Sequence, residues 1–170
     1  VNPGATEKPL TSALLTNAIW STSSYERQTN PSLYVQYLSQ TQYPDESNYS
    51  TGPVSWSGAY TGRLEDLETI INVNSDPETA AEAAEEGSNA NQIAVARILK
   101  AFTFSKLADQ YGDIPYSESL TGIESPVYDN QESVYMAILT ELEEAESQFD
   151  AGEMPDGDIL LNGNQAAWKR

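Results

Sequence analysis

Apolar residues recur at three- and four-residue intervals along most of the chain, which is the spacing of one face of an α-helix. The first such segment is 9–20, where one face carries Leu10, Leu14 and Ala18. A second, short helix is expected to start at Pro31, directly after the capping residue Asn30. Its buried side would consist of Leu33, Tyr34, Tyr37 and Leu38.

Further helices are expected at 59–73, 91–111 and 130–149. A capping box at 75–78 also predicts a short, solvated helical arm over 78–86, which carries nothing apolar larger than alanine. In the helix at 130–149, Asn130 would cap the first turn. That helix would point Val134, Ile138, Leu142, Ala145 and Phe149 inward and Glu141, Glu144 and Gln148 outward.

The segment 91–111 is the most apolar of these helices, with a polar stripe limited to Gln92, Lys100, Thr103, Lys106 and Gln110. A helix that is apolar over most of its circumference must be covered on two sides. We expect it to pack antiparallel to the helix at 59–73, with Leu99 and Phe102 against Leu64 and Leu67. Gly112 and Pro115 would end it.

No segment shows a strand pattern of comparable strength, so the sequence predicts an all-α fold with long irregular loops. Two spacings suggest that the helices form pairs. Tyr60 lies 34 residues before Ala94, and Val134 lies 34 residues before Trp168. This is the period of tetratricopeptide-like helix pairs, although the other consensus positions of that repeat are poorly matched.

The segment 41–57 has no helical periodicity and is rich in turn-forming residues. At 17 residues it exceeds the usual length of a structureless connection, about 12–15 residues. Its three large aromatic residues, Tyr43, Tyr49 and Trp56, need a partner, which is either the core or something outside the chain. Trp56 is the closest of the three to the next helix and is the best candidate for burial.

The chain of 170 residues carries 8 Lys and Arg against 26 Asp and Glu, a formal net charge of −18. This charge disfavours nucleic acids and anionic membrane surfaces as partners, because both would repel it. The sequence has no cysteine or histidine, which excludes disulfides, zinc sites built on these residues, and Ser-His or Cys-His catalytic pairs.

The acidic residues do not form a recognisable metal site or catalytic site. The loop 150–158 lacks the glycine and oxygen spacing of an EF-hand, so no metal is expected there. The adjacent pairs Glu85/Glu86 and Glu143/Glu144 could in principle serve glycoside hydrolysis, but on solvated helix faces we interpret them as surface charge. Arg97 lies on the apolar side of its helix, which favours a structural ion pair.

The block 93–120 resembles the SusD/RagB family, in which the corresponding helix ends in Tyr-Gly-Asp-(Ile/Val)-Pro-Tyr. Here that motif is Tyr111-Gly112-Asp113-Ile114-Pro115-Tyr116. We interpret this motif as structural rather than as a ligand site, because glycine adopts backbone angles that other residues resist and the tyrosines would pack at the end of the helix. Three further blocks agree in order with the family: 1–3, 127–145 and 157–169.

The resemblance implies a surface-exposed, lipid-anchored, non-enzymatic protein of the outer membrane that binds glycans. It also implies a SusC-like TonB-dependent transporter as partner, tetratricopeptide-like helix pairs, and no cofactor. Members of the family are several hundred residues long. Residues 1–170 are therefore expected to be one N-terminal part of a larger domain, truncated inside a helix, with the lipid-bearing cysteine upstream.

In the family, the connection at 41–57 contributes to the glycan-facing platform. Sugars stack their apolar faces on aromatic rings, and their hydroxyl groups form hydrogen bonds with polar side chains. The expected ligand-binding residues are Tyr43, Asn48, Tyr49 and Trp56, with packing of these rings inside the protein as the alternative. Two other functions remain open: an interaction scaffold that caps the transporter without binding sugar, and a carboxylate-dependent glycosidase.

Overall fold

The computed structural model describes residues 10–26, 30–49 and 57–170. Seven α-helices occur within these ranges: α1 Thr11–Glu26, α2 Asn30–Tyr34, α3 Glu65–Ser75, α4 Ala80–Ala83, α5 Asn89–Tyr111, α6 Gln131–Gln148 and α7 Gln165–Trp168. A π-helical segment, Ala59–Leu64, leads into α3, and 3₁₀ turns lie at Glu46–Asn48 and Ala84–Glu86. The predicted all-α fold class is confirmed.

Two buried apolar clusters hold the helices together, and α5 contributes to both. The first joins Leu15 and Ile19 of α1 and Leu67 and Ile70 of α3 to the N-terminal half of α5. The second joins Ala59, Leu64 and part of α6 to the C-terminal half of α5. The N-terminal end of the 59–75 helix thus contacts the C-terminal half of α5, and its C-terminal end contacts the N-terminal half, as expected for antiparallel packing. Helix α5 is therefore covered on two sides, as predicted.

The prediction that Phe102 is the large aromatic residue of this interface is wrong. Phe104 is 1% exposed, whereas Phe102 is only half-buried and has Lys106 Nζ 5.2 Å from its ring centroid. The polar stripe predicted for α5 is also partly wrong, because Gln92 and Thr103 are buried. Gln92 donates to the carbonyl oxygens of Ala83 and Gly87, and Thr103 donates to that of Leu99.

Helix α2 is shorter than the sequence pattern suggests. It ends at Tyr34, and Gln36 adopts a left-handed backbone conformation with φ of 61°. A non-glycine residue in this region ends helical geometry. Leu33 is buried as predicted, but Tyr37 and Leu38 are exposed rather than part of the buried side.

Of the three residues of α6 predicted to point outward, Glu144 is exposed as predicted, whereas Glu141 and Gln148 are partly buried. The predicted ion pair of Arg97 is confirmed. Arg97 Nε donates to Glu141 at 2.8 Å, Nη1 donates to Gln148 at 3.0 Å, and Nη2 contacts Glu144. These contacts raise the pKa of Arg97, led by the bond to Glu141, although burial opposes the shift. Leu142, predicted to point inward, is 36% exposed.

The carboxylate of Glu86 is not a simple surface charge. It accepts hydrogen bonds from Thr11 Oγ1 and from the backbone N–H of Ser12, each at 2.7 Å. These are the first residues of α1, whose N–H groups lack partners within the helix. Burial raises the pKa of Glu86, but the hydrogen bonds outweigh burial and leave the pKa below its ordinary value.

The loop 150–163 is closed by its own carboxylates. Asp158 accepts the backbone N–H groups of Leu160, Leu161 and Gly163 and the indole N–H of Trp168. Asp150 accepts from Gly152 N and Ser88 Oγ. These oxygens are used to fix the chain, and no group of acidic residues suited to a metal ion occurs within the ranges that the structure describes.

Candidate functional site

Residues 34–49 form a compact loop closed by two tyrosines. The rings of Tyr34 and Tyr49 stack with centroids 5.3 Å apart and an interplanar angle of 24°. Tyr49 Oη donates to the carbonyl oxygen of Tyr34 at 2.6 Å, and Gln40 N donates to Ser47 Oγ at 2.9 Å. Tyr49 also has a positive φ of 61°, a conformation that non-glycine residues rarely adopt without supporting contacts. The loop thus holds Tyr49 in place.

Three tyrosines of this loop present their rings to solvent: Tyr37 is 86% exposed, Tyr43 71% and Tyr49 60%. Asn48, in the 3₁₀ turn, is exposed as well. A rigid aromatic face beside an amide side chain can stack against a pyranose ring and accept or donate hydrogen bonds to its hydroxyls. This loop of exposed tyrosines, 34–49, is named the tyrosine loop below.

The structure places three of the four sequence-predicted site residues, Tyr43, Asn48 and Tyr49, together on the tyrosine loop. The fourth, Trp56, lies outside the described residues. The sequence pattern predicts a buried helix face for Tyr37, because its spacing from Leu33 and Tyr34 is helical, but the structure exposes it. A stretch of polar residues with turn propensity from Ser39 onward was the available signal that the helix ends early.

A groove of about 600 Å³ lies between residues 57–65 and the loop 115–128. Its first residue along the chain, Ser57, directly follows Trp56, so the groove begins where the long irregular connection ends. Tyr60 and Tyr128 supply aromatic surface, and Ser57, Thr61 and Ser119 supply hydroxyl groups. The groove therefore combines the two kinds of group that recognise a carbohydrate.

Two features of the backbone shape this groove. Residues 59–64 are π-helical, and single π-turns within helices occur frequently at functional sites. On the opposite side, Leu120 has a positive φ of 62°. Such conformations persist only where surrounding contacts hold them, and they cluster at ligand-binding sites.

The motif 111–116 holds the loop of the groove at its base, as the architectural interpretation predicts. Pro115 accepts a hydrogen bond from Tyr60 Oη at 2.7 Å, and the ring of Tyr116 packs edge-on against Phe104 at 4.7 Å. Ile114 is fully buried and pairs with the backbone of Asp129. Asp113 accepts the backbone N–H of Gln131, the first residue of α6.

Asp129 closes the loop from its other end. Its carboxylate accepts the backbone N–H groups of Tyr116 and Ser117 at 3.0 and 2.8 Å, and also the hydroxyl of Ser117. Burial raises the pKa of Asp129, but the hydrogen bonds from Ser117 and Tyr116 outweigh burial and hold the pKa below its ordinary value. These hydrogen bonds therefore fix the two ends of the loop 115–128 to each other.

One member of each carboxylate pair considered for glycoside hydrolysis is engaged in a structural contact. Glu86 binds the start of α1, and Glu144 binds Arg97. Their interpretation as plain surface charge is therefore wrong for these two residues. A carboxylate held in either contact is not available as a general acid or nucleophile.

A comparison with family models identifies one family. The SusD-like profile described as "Starch-binding associating with outer membrane" matches residues 3–170. A search of curated proteins found no match. Within the described ranges, none of the helices has the length and apolar character needed to cross a membrane.

Solved structures resemble this fold over nearly the whole chain. A SusD homologue from Bacteroides fragilis NCTC 9343 is 27% identical with a TM-score of 0.67, the match covering 95% of this chain and 33% of the other. A chitin-binding protein is 28% identical with a TM-score of 0.71, covering 94% and 36%. A SusD/RagB family protein from Bacteroides thetaiotaomicron, 22% identical with a TM-score of 0.74, shares the fold. The chain thus spans about a third of the length of these structures.

Proposed function

This chain belongs to the SusD-like family of starch-binding proteins that associate with the outer membrane, and from that premise we propose that it serves glycan capture without catalysis. The observation that carries the proposal is the family match over residues 3–170, joined to exposed aromatic surface at two places. The protein would hold an oligosaccharide for import rather than cleave it.

The proposed binding residues are Tyr43, Asn48 and Tyr49 of the tyrosine loop, together with Trp56 and the groove that starts at Ser57. A chain of sugars gains affinity from several weak platforms in series, because each stacked ring adds a modest free energy. The tyrosine loop and the groove lie on either side of the segment 50–56 along the chain. One extended oligosaccharide contacting both is the arrangement that we propose.

The similarity to a chitin-binding protein suggests the first ligand to try, since that relative's name specifies a polymer of N-acetylglucosamine. The partner that we propose is a SusC-like TonB-dependent transporter, to which the protein would present its glycan at the outer surface of the outer membrane. A lipid anchor upstream of residue 1 belongs to the same proposal.

The proposal is tested by isothermal calorimetry of the intact protein against neutral oligosaccharides derived from chitin, starch and other glycans. The double variant Tyr43→Ala/Tyr49→Ala should weaken binding by about 1–3 kcal/mol, the sum of two stacking contacts. Trp20→Ala is the matched control, because Trp20 is an exposed ring on α1 outside both proposed surfaces.

Binding of a neutral glycan that is weakened by the double variant and not by Trp20→Ala supports the proposal, provided that the melting temperatures agree. Unchanged affinity in the double variant would place the binding platform elsewhere. Silence against every glycan, with binding to the transporter retained, would favour the interaction scaffold instead. Release of reducing sugar during incubation would favour the glycosidase.

A further inference from the structure

The groove between 57–65 and 115–128 carries one carboxylate on each of its two sides. Glu65, at the start of α3, lines one side, and Glu124, in the loop, lines the other. Both side chains are exposed, and the structure gives neither carboxylate a hydrogen-bond or ion-pair partner among the described residues. A ligand lying in the groove would therefore pass between two negative charges.

No lysine or arginine among residues 10–26, 30–49 and 57–170 lines this groove. Five of the six basic side chains of these ranges are engaged elsewhere, and the sixth, Arg170, does not line the groove. Arg63 donates to the carbonyl oxygen of Ser21, and Lys100 pairs with Glu68. Arg97 binds Glu141 and Glu144, and Lys106 and Lys169 lie over the rings of Phe102 and Phe149.

Stacking on Tyr60 and Tyr128 depends little on the charge of a sugar, whereas the two carboxylates of the groove respond to it directly. A protonated amine on the sugar would form charge-assisted hydrogen bonds with a carboxylate, which are shorter and stronger than neutral ones. A uronate or sulfate group would instead lie near two carboxylates of the same charge, with no cation to compensate them. Proteins commonly gain specificity in this way, by leaving the charge of a competing ligand unpaired.

Resting on the function proposed above, we propose that this groove selects glycans by charge: it prefers oligosaccharides with free amino groups to neutral ones, and it disfavours uronate and sulfated glycans. Glu65 and Glu124 are the specificity-determining residues. The ligand class is thus an amino sugar such as a partly deacetylated chitin oligomer.

The experiment compares three hexamers by calorimetry on the intact protein in low salt: glucosamine, N-acetylglucosamine and galacturonate. Exposed ion pairs change affinity by about two- to fivefold each. The glucosamine hexamer should therefore bind about 4- to 25-fold more tightly than the N-acetylglucosamine hexamer, and the galacturonate hexamer more weakly than either. The preference should shrink in about 0.5 M salt, where screening is strong.

The double variant Glu65→Gln/Glu124→Gln should abolish this preference, so that the glucosamine and N-acetylglucosamine hexamers bind with similar affinities. The double variant Glu143→Gln/Glu146→Gln is the matched control, since it changes the net charge by the same amount at exposed positions of α6. It should retain the preference, which separates a local effect of the groove from the general attraction of an acidic protein.

Equal binding of the glucosamine and N-acetylglucosamine hexamers would overturn this inference and leave the proposed function intact. The same holds if the two double variants reduce the preference equally, because the selectivity would then come from overall charge. If no hexamer binds and the wider glycan panel is also silent, the proposed function fails and this inference fails with it.

Discussion

Substitution of Phe104 by alanine tests whether the core under the groove is built as described. The ring is 1% exposed and lies between two tyrosines, with centroids 6.0 Å from Tyr60 and 4.7 Å from Tyr116, both edge-on. Removing a buried phenylalanine costs about 3–5 kcal/mol of stability. Since two favourable ring contacts are lost as well, we expect about 4–5 kcal/mol.

Phe102→Ala is the matched comparison, because it removes the same atoms two residues away on α5. Phe102 is half-buried, and its visible partner is the ammonium group of Lys106. Loss of part of its burial and of one exposed cation–π contact amounts to about 1–2 kcal/mol. The two variants should therefore differ by at least about 2 kcal/mol in free energy of unfolding.

The assay is urea unfolding followed by circular dichroism, with glycan affinity measured in parallel under native conditions. Phe104→Ala should also weaken glycan binding, because Tyr60 and the loop that follows Tyr116 line the groove and lose their support. Phe102→Ala should leave affinity unchanged. Equal destabilisation by both variants, or a greater loss from Phe102→Ala, would show that the assignment of the core is wrong.

Two further substitutions test the charged contacts. Arg97→Met leaves Glu141 and Glu144 without their shared partner and should lower the free energy of unfolding in urea by about 1–3 kcal/mol. Lys169→Met is the control and should lower it little. Equal losses of stability in the two variants would contradict a structural role for Arg97. The pKa of Glu86 is lower in the folded protein than the ordinary 4.5, so its stabilisation is complete above about pH 4.5 and is lost as the pH falls below that. Glu86→Gln should flatten the acid limb of a plot of unfolding midpoint against pH, and the exposed Glu85→Gln should not; identical limbs in the wild type and Glu86→Gln would refute the cap on α1.

The helices were predictable because their apolar spacing is strong and their ends carry local signals. Asn130, for example, accepts the N–H of Ser133 as an N-cap should, and Gly112 takes a positive φ of 77° at the end of α5. The side of α5 that is buried was less predictable. Buried polar residues such as Gln92 depend on distant backbone acceptors, in this case Ala83 and Gly87, which local periodicity does not reveal.

The candidate site was predictable only in part, for a similar reason. The family resemblance pointed to the connection 41–57, and within it the turn-forming neighbours of Tyr43 and Tyr49 favoured exposure of these rings. The groove was not visible in the sequence, because it forms where residues 57–65 meet the loop 115–128, which is distant along the chain. The two ends of that loop are held together by the hydrogen bonds from Tyr116 and Ser117 to Asp129, which are tertiary contacts.

A crystal structure of the intact protein with a bound N-acetylglucosamine hexamer would test the central claim most directly. The account predicts sugar rings stacked on Tyr43 or Tyr49 and continuing into the groove lined by Tyr60 and Tyr128. An oligosaccharide bound at another surface, with the tyrosine loop and the groove both open to solvent, would contradict it.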